Sequence, residues 1–409
     1  MNLFVLVWSY LKSKPLNSLL NTVLLALGIA VIVILLLFTR QLQEKIQANA
    51  RGIDLVVGAK GSPLQIILCN IFHIDFPTGN IPLHEAEKLA RHRLVKTAIP
   101  LALGDSYGGY RIIGCPRAYP LLYQSNLDRG RWYEKDFEAV IGANVARMAG
   151  LKPDDRFASA HGLSTGGHEH EHHFVVVGIL EPTGSVVDNL IFTSIESVWK
   201  VHDLPVQPAD TLQQQPSPLV PSVTAGDSTK EITALLIQYR SPLGAVQLPR
   251  QINQHSSMQA ASPAFETARL FSILGVGIDV LTAMAAVLIG ISALSIFIAL
   301  YNSLKERRYD LAVMRALGAT RLKLVVSLLL EGMLLTLGGT VLGLAAGHGT
   351  VHVLAATVEE IGRNGISGIV FYTVEWIILT GSLVLGVLCA LVPALQAYRT
   401  DISEVLAGN

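Results

Sequence analysis

Charge is scarce in this sequence. Its 31 basic and 31 acidic residues make up 15% of the 409-residue chain and cancel to a formal net charge of zero. With no field of one sign around the molecule, an electrostatic nucleic-acid binder is excluded. Cysteine is scarcer still. Cys69, Cys115 and Cys389 form an odd set, and Cys389 sits in an apolar run. Cys69 and Cys115 could bridge only in an oxidising compartment, and they have the spacing of neither a disulfide framework nor a zinc knuckle. Catalytic signatures are missing as well: there is no G-x-S-x-G, no H-E-x-x-H and no C-x-x-C, so a non-catalytic chain is expected. No G-x-x-x-x-G-K-S/T occurs either, because Gly58-Ala59-Lys60-Gly61-Ser62 carries those residue types in the wrong order. Any ATP-driven step therefore belongs to a separate chain.

Apolar residues take the place of charge. They are 51% of the chain, with a mean hydropathy of +0.46, too apolar for an ordinary soluble protein of this length. Four runs exceed the roughly 20 residues needed to cross about 30 Å of hydrocarbon as a helix: Leu16 to Phe38, Ile273 to Leu300, Leu322 to Gly347 and Val374 to Ala397. The first is preceded by Lys12 and Lys14 but is too long for a signal-peptide core, and Phe38-Thr39-Arg40 offers no small-residue cleavage site, so it reads as a retained anchor. Lysine and arginine set the orientation. Lys12 and Lys14 precede the first run, Lys305 to Lys323 separates the second from the third, and Arg399 follows the fourth. By the positive-inside rule these lie in the cytoplasm, with both termini, and the segment between runs one and two lies outside.

That segment is long enough for a folded domain. Thr39 to Gly52 and Ser262 to Phe271 are helix-prone and extend runs one and two outward as a stalk. Between them, β-rich stretches (Ala139 to Gly142, Phe174 to Leu180, Leu235 to Tyr239) alternate with helical ones (Pro82 to Leu94, Ser194 to Val201). Leu204 to Ser228, rich in Pro, Gln and Ser, reads as a loop. The expected fold is a membrane α-helical protein of four transmembrane helices, with a large α+β extracytoplasmic domain inserted between helices 1 and 2.

Several residues stand out as candidate sites. KERRYDLAVMRALGATRLK, Lys305 to Lys323, is basic and amphipathic; Leu311, Met314, Arg315, Leu317 and Gly318 fall at helical spacing and would show a ridge to a cytoplasmic partner. Gly339, Gly343 and Gly347 recur every four residues and mark a helix-packing seam, with the neighbouring helix unspecified. Glu331 and Asp279 are ionisable groups inside apolar runs. Glu331 is expected to pair with a basic residue of Arg315 to Lys323, Asp279 to lie at the outer interface, and Glu375 to be solvated. His161 to His173 reads HGLSTGGHEHEHH; His168, His170, His172 and His173 invite weak zinc binding, with a solvated histidine-rich loop as the alternative.

The residues Lys305 to Thr320 resemble the "R-R-x-E-I-x-x-L-R-A-L-G-A-T/S" coupling segment of the MacB/FtsX-type ABC transporter permeases, which include LolC and LolE, with Asp310 where Glu is usual. Leu330-Glu331-Gly332 with Gly338-Gly339 and Gly343, and Pro393-Ala394-Leu395-Gln396-Ala397 before Ile402 to Leu406, are similar to the same family, although Asp401 departs from its tail. Gly130-Arg131-Trp132, Val140-Ile141-Gly142, Phe174 to Leu180 and Thr183-Gly184 resemble the MacB-like periplasmic core; Asp54 to Pro82 looks like a subgroup signature. The resemblance implies three domains: 1–39 with transmembrane helix 1, 40–271 as stalk and periplasmic core with a loop at 204–228, and an FtsX-like domain at 272–409 with the coupling segment at 302–321. It assigns ATPase coupling to Arg308, Leu311, Met314, Arg315, Ala316, Leu317 and Gly318. It implies no cofactor on this chain, ATP on a partner ATPase present in two copies, and a homodimer or paired permease. A periplasmic adaptor or substrate-binding protein, membrane lipid and a bacterial inner-membrane location complete the expectation. Export or release of a substrate is the leading role, with activation of a periplasmic partner such as a cell-wall hydrolase, or histidine-based metal sensing, as alternatives.

Overall fold

The structure is a computed structural model and describes residues 3–13, 15–160, 169–202, 230–358, 362 and 365–399. The chain divides into a membrane unit, Met1–Leu42 with Ile273–Asn409, and an outer unit, Gln43–Ser272.

The chain opens with α1 (Leu3–Ser13), followed at once by α2 (Pro15–Asn49), whose first residue is a proline suited to starting a helix. Sequence reading gave no sign of α1 as a separate helix. Val7 is buried while Phe4, Val5 and Trp8 are exposed, the arrangement of a short helix lying on the bundle.

The outer unit follows as β1 (Leu55–Ala59), α3 (Pro63–Asn70), β2 (Ile81–Pro82), α4 (Leu83–Ala90), β3 (Val95–Tyr107), β4 (Tyr110–Gly114), α5 (Ala118–Leu122), β5 (Leu127–Gly130) and β6 (Glu138–Ile141). It continues with α6 (Ala143–Ala149), β7 (Arg156–Ala160), β8 (Glu169–Leu180), β9 (Leu190–Thr193), α7 (Ile195–His202), β10 (Glu231–Ile232), β11 (Ala234–Tyr239), α8 (Pro242–His255) and β12 (Met258–Ala261). Ten strands form one mixed sheet in the order β12-β1-β11-β3-β4-β9-β6-β8-β5, with β7 joining β3 and β8. The β4–β9 and β6–β8 pairs are parallel.

The apolar runs explain why this sheet is buried on both faces. Val56, Ala234 and Leu236 point into one core with Ile66 and Ile67 of α3. Their neighbours Leu55, Val57, Leu235 and Ile237 point into another with Leu248 and Ile252 of α8. Alternation of period two thus fills both faces from near-continuous hydrophobic strands. A third cluster around Ile141, Phe157, Phe174 and Ile191 packs the far half of the sheet. Cys69, Cys115 and Cys389 are free and buried.

The segment Asp54 to Pro82 is built into this unit by a loop with His73 at φ 55°, its Nε2 2.8 Å from the Tyr119 hydroxyl. Burial, and then the nearby Arg111, push the His73 imidazole down to about 3, so it is neutral. Arg111 itself donates to the Asp75 carbonyl, which holds the exposed Ile74 and Phe76 at the loop's outer side.

The membrane unit resumes with α9 (Pro263–Glu306), α10 (Arg308–Ala316), α11 (Arg321–Thr357) and α12 (Thr373–Arg399). Of these helices, α2, α9, α11 and α12 are each long and apolar enough to cross a membrane. The glycine seam of α11 packs on α2 of the same chain. A Cβ at Gly339 would meet Leu25 at 2.9 Å, one at Gly343 the Ala26 carbonyl at 2.7 Å, and one at Gly347 Val33 at 2.7 Å. Buried Asn21 ties α2 to α9, receiving Ser295 Oγ at 2.6 Å. At the far end of α11 the expectation for Glu375 is corrected. It is buried rather than solvated, because His348 Nε2 lies 2.9 Å from its Oε2 and the Tyr372 N–H donates to its Oε1.

Candidate functional site: the Leu317 turn and its anchor

Between α9 and α11 the chain makes one short helix and one tight turn. The apolar spacing of α10 serves first to seat it. Leu311 is buried in a cluster with Leu304, Leu324, Leu328, Ala394 and Ala397, and Met314 packs against the same cluster. These two residues therefore face the membrane unit, a correction to the expectation that they form the ridge shown to a partner. A nine-residue helix has one apolar stripe, and here the bundle takes it. What remains outward is Ala316-Leu317-Gly318, with Leu317 84% exposed. Arg315 is half-buried, and Arg308 starts the helix.

The turn is fixed by backbone geometry. Gly318 has φ 96°, the Gly318 N–H donates to the Arg315 carbonyl at 3.0 Å and the Ala319 N–H to the Met314 carbonyl at 3.0 Å. These are the paired bonds of a Schellman ending, and they need a residue free of Cβ strain at the left-handed position. Thr320 then caps α11, its Oγ1 receiving the Lys323 N–H at 3.4 Å. Leu317 is thus held at the apex of a turn closed on both sides.

Behind the turn lies an ion pair. Arg307 Nη1 stands 3.3 Å from Glu331 Oε2, with side chains 13% and 7% exposed. The guanidinium also lies 3.8 Å from the Tyr10 ring centroid of α1. Sequence reading expected the partner of Glu331 within Arg315 to Lys323; the ion pair is instead with Arg307, the residue between α9 and α10. Arg307 and Tyr10 are the residues it missed. A cation–π contact has no sequence spacing, but an arginine next to a helix break facing an intramembrane acid was the available signal.

The remaining candidates lie apart from this site. Asp279 is exposed on α9. His168 lies outside the described residues, and His170, His172 and His173 fall on β8. His172 stacks on Phe137 at 5.2 Å between ring centroids, and among the described residues no group of three His, Cys, Asp or Glu side chains is placed to hold a metal.

This is the architecture of a membrane permease subunit: among the described residues, four helices fit to span a membrane, an outer α/β domain inserted after the first, and a short helix ending in an exposed turn between the second and third. The chain belongs to the ABC transporter permeases of the MacB/FtsX type: a MacB-like periplasmic core domain matches residues 18–239 and an FtsX-like permease C-terminal domain matches residues 282–402. An uncharacterized ABC transporter permease of Methanocaldococcus jannaschii is 26% identical over 138 residues, 34% of this chain and 35% of that protein's length. Among solved structures, the periplasmic region of MacB from Actinobacillus actinomycetemcomitans is 13% identical and covers 55% of this chain and 97% of its own, with a TM-score of 0.33. The extracellular domain of the noncanonic ABC-type transporter YknZ from Gram-positive bacteria is 11% identical and covers 51% and 99%, with a TM-score of 0.30.

Proposed function

We propose that this permease relays the motion of a separate ATPase to its outer domain, and does so through the Leu317 turn. The observation that carries the reading is an apolar side chain held 84% exposed at a turn closed by a glycine ending and a threonine cap. Rigid presentation of one large apolar residue beside arginine suits a helix-in-groove contact with a partner protein. The family implies an ATPase partner, and the absence of a phosphate-binding loop from this sequence supports hydrolysis on that other chain. Two ATPase copies with two permease protomers, in the bacterial inner membrane with both termini in the cytoplasm, complete the proposed assembly. Its role is export or release of a substrate from the membrane or periplasm.

The test is Leu317→Asp in the full-length permease co-expressed with its ATPase. Loss of co-purification, or of permease-stimulated ATP hydrolysis by at least about tenfold (about 1.4 kcal/mol), is expected for removal of an interface anchor. Normal co-purification together with normal stimulation would show that the turn is not the docking point.

A further inference from the structure

We propose that His348 and Glu375 form a proton-binding site that latches Gly368, in the segment just before α12, onto α11. The argument is a count of hydrogens. His348 Nδ1 lies 2.7 Å from the Gly368 carbonyl oxygen, which can only accept, so Nδ1 carries a hydrogen. His348 Nε2 lies 2.9 Å from Glu375 Oε2, while Glu375 Oε1 already accepts the Tyr372 N–H at 2.9 Å. A hydrogen must also lie between Nε2 and Oε2. It sits on the ring as imidazolium facing carboxylate, or on the acid facing a neutral ring; the proton count is the same. The closed geometry therefore holds one proton more than a neutral histidine and an ionised glutamate possess.

Removing that proton leaves one ring N–H for two acceptors. The carboxylate is the stronger acceptor, so the ring keeps Glu375 through Nε2–H and turns a lone pair on the Gly368 carbonyl. Both side chains are buried, His348 8% and Glu375 6% exposed, so the lost bond leaves a buried polar group without its partner. Gly368 is then released from His348 of α11. Its docking is close enough for this to matter: a Cβ at Gly368 would collide with the His348 carbonyl and the His352 amide, and Phe371 stacks on the imidazole at 4.3 Å. On the other side, Gln41 of α2 holds Ser367 by two bonds, Nε2 to its carbonyl at 2.9 Å and its N–H to Oε1 at 2.8 Å.

Other ionisable groups on the packed elements are few. His352 is exposed one turn along α11, Tyr372 lies in the loop, and Arg40 is exposed beside Gln41 on α2, with Glu44 and Lys45 following it. The acidic and basic residues of α12 are Glu375 and Arg399, the latter at its opposite end. Glu359, Glu360 and Arg363 lie outside the described residues. Glu375 is thus the acid hydrogen-bonded to the ring.

The test uses the full-length permease in lipid nanodiscs with a spin label on Ile369→Cys, a position 69% exposed; the native cysteines are buried. The label is expected to go from mostly immobile to mostly mobile as the pH is raised from acid to alkaline and the shared proton is withdrawn. Glu375→Gln separates the proton from the bond. Its amide donates to Nε2 and its carbonyl accepts from Tyr372, so the latch stays closed without the extra proton and the label stays immobile throughout. His348→Phe, or His348→Leu if that variant is not monodisperse, is expected to be mobile throughout. One mobility for the parent across the whole range, or the same pH response in Glu375→Gln as in the parent, would overturn the proposal. ATPase binding plays no part in the readout, so this result stands apart from the test at Leu317.

Discussion

Arg307 and Glu331 show how much one buried pair can decide. Two charges this far out of water gain from each other only when the geometry is good, and removing one partner leaves the other uncompensated, a loss of about 3–5 kcal/mol. Replacing both by apolar residues of similar size restores most of that loss. We expect Arg307→Ala and Glu331→Ala each to lower the thermal midpoint of the purified permease sharply, and Arg307→Met/Glu331→Leu to recover it. The double variant should still stimulate the ATPase poorly, because the fastening of α9, α10 and Tyr10 to α11 is gone. A double variant that is stable and fully coupled would make the pair a packing detail. Glu331 was conspicuous in the sequence as a charge within an apolar run, whereas Glu375 was not, since an acid at the start of a span reads as solvated. Its partner His348 stands 27 residues upstream, a separation with no helical or strand period to betray it.

Among the helices, the glycines of α11 make a matched experiment. At Gly343 a Cβ would press on the Ala26 carbonyl and on Ile29, whereas at Gly349 nothing lies within 4 Å. Gly343→Ala should therefore destabilise the membrane unit by about 1–3 kcal/mol through forced separation of α2 and α11. Gly349→Ala should leave it unchanged or stabilise it by up to about 1 kcal/mol, since alanine is the better helix former. Thermal melts of the two variants in one detergent decide the matter, and equal shifts would remove the seam. Periodicity made the seam legible but not the helix it meets. It also marked an apolar stripe on α10 without saying that the bundle, rather than a partner, covers Leu311 and Met314. The four long spans and the alternating strands were readable because burial imposes its period directly on the sequence. Helix α1 was not, because eleven mixed residues beside a long apolar run look like its flank.

For the whole molecule, function turns on which end of the membrane unit faces the cytoplasm. Lysine and arginine resist translocation when they crowd short loops beside a span, and the α9–α11 connection with the helix ends beside it holds Lys305, Arg307, Arg308, Arg315, Arg321 and Lys323. If that connection is cytoplasmic, an odd number of crossings puts the outer unit on the other side, after α2 and before α9. Each of those helices runs without interruption across the boundary between the units, α2 from Pro15 to Asn49 and α9 from Pro263 to Glu306. Within the outer unit the end of α2 is fastened: Lys45 donates to the Gly184 carbonyl at 2.7 Å, and the Tyr123 hydroxyl to the Asn49 carbonyl at 2.8 Å. Single cysteines at Met148, 56% exposed, and at Leu317 test the direction, with the native thiols buried. In intact spheroplasts a membrane-impermeant maleimide should label Met148→Cys at once and Leu317→Cys only after permeabilisation. Labelling of Leu317→Cys from outside would invert the molecule and detach the coupling turn from any cytoplasmic motor.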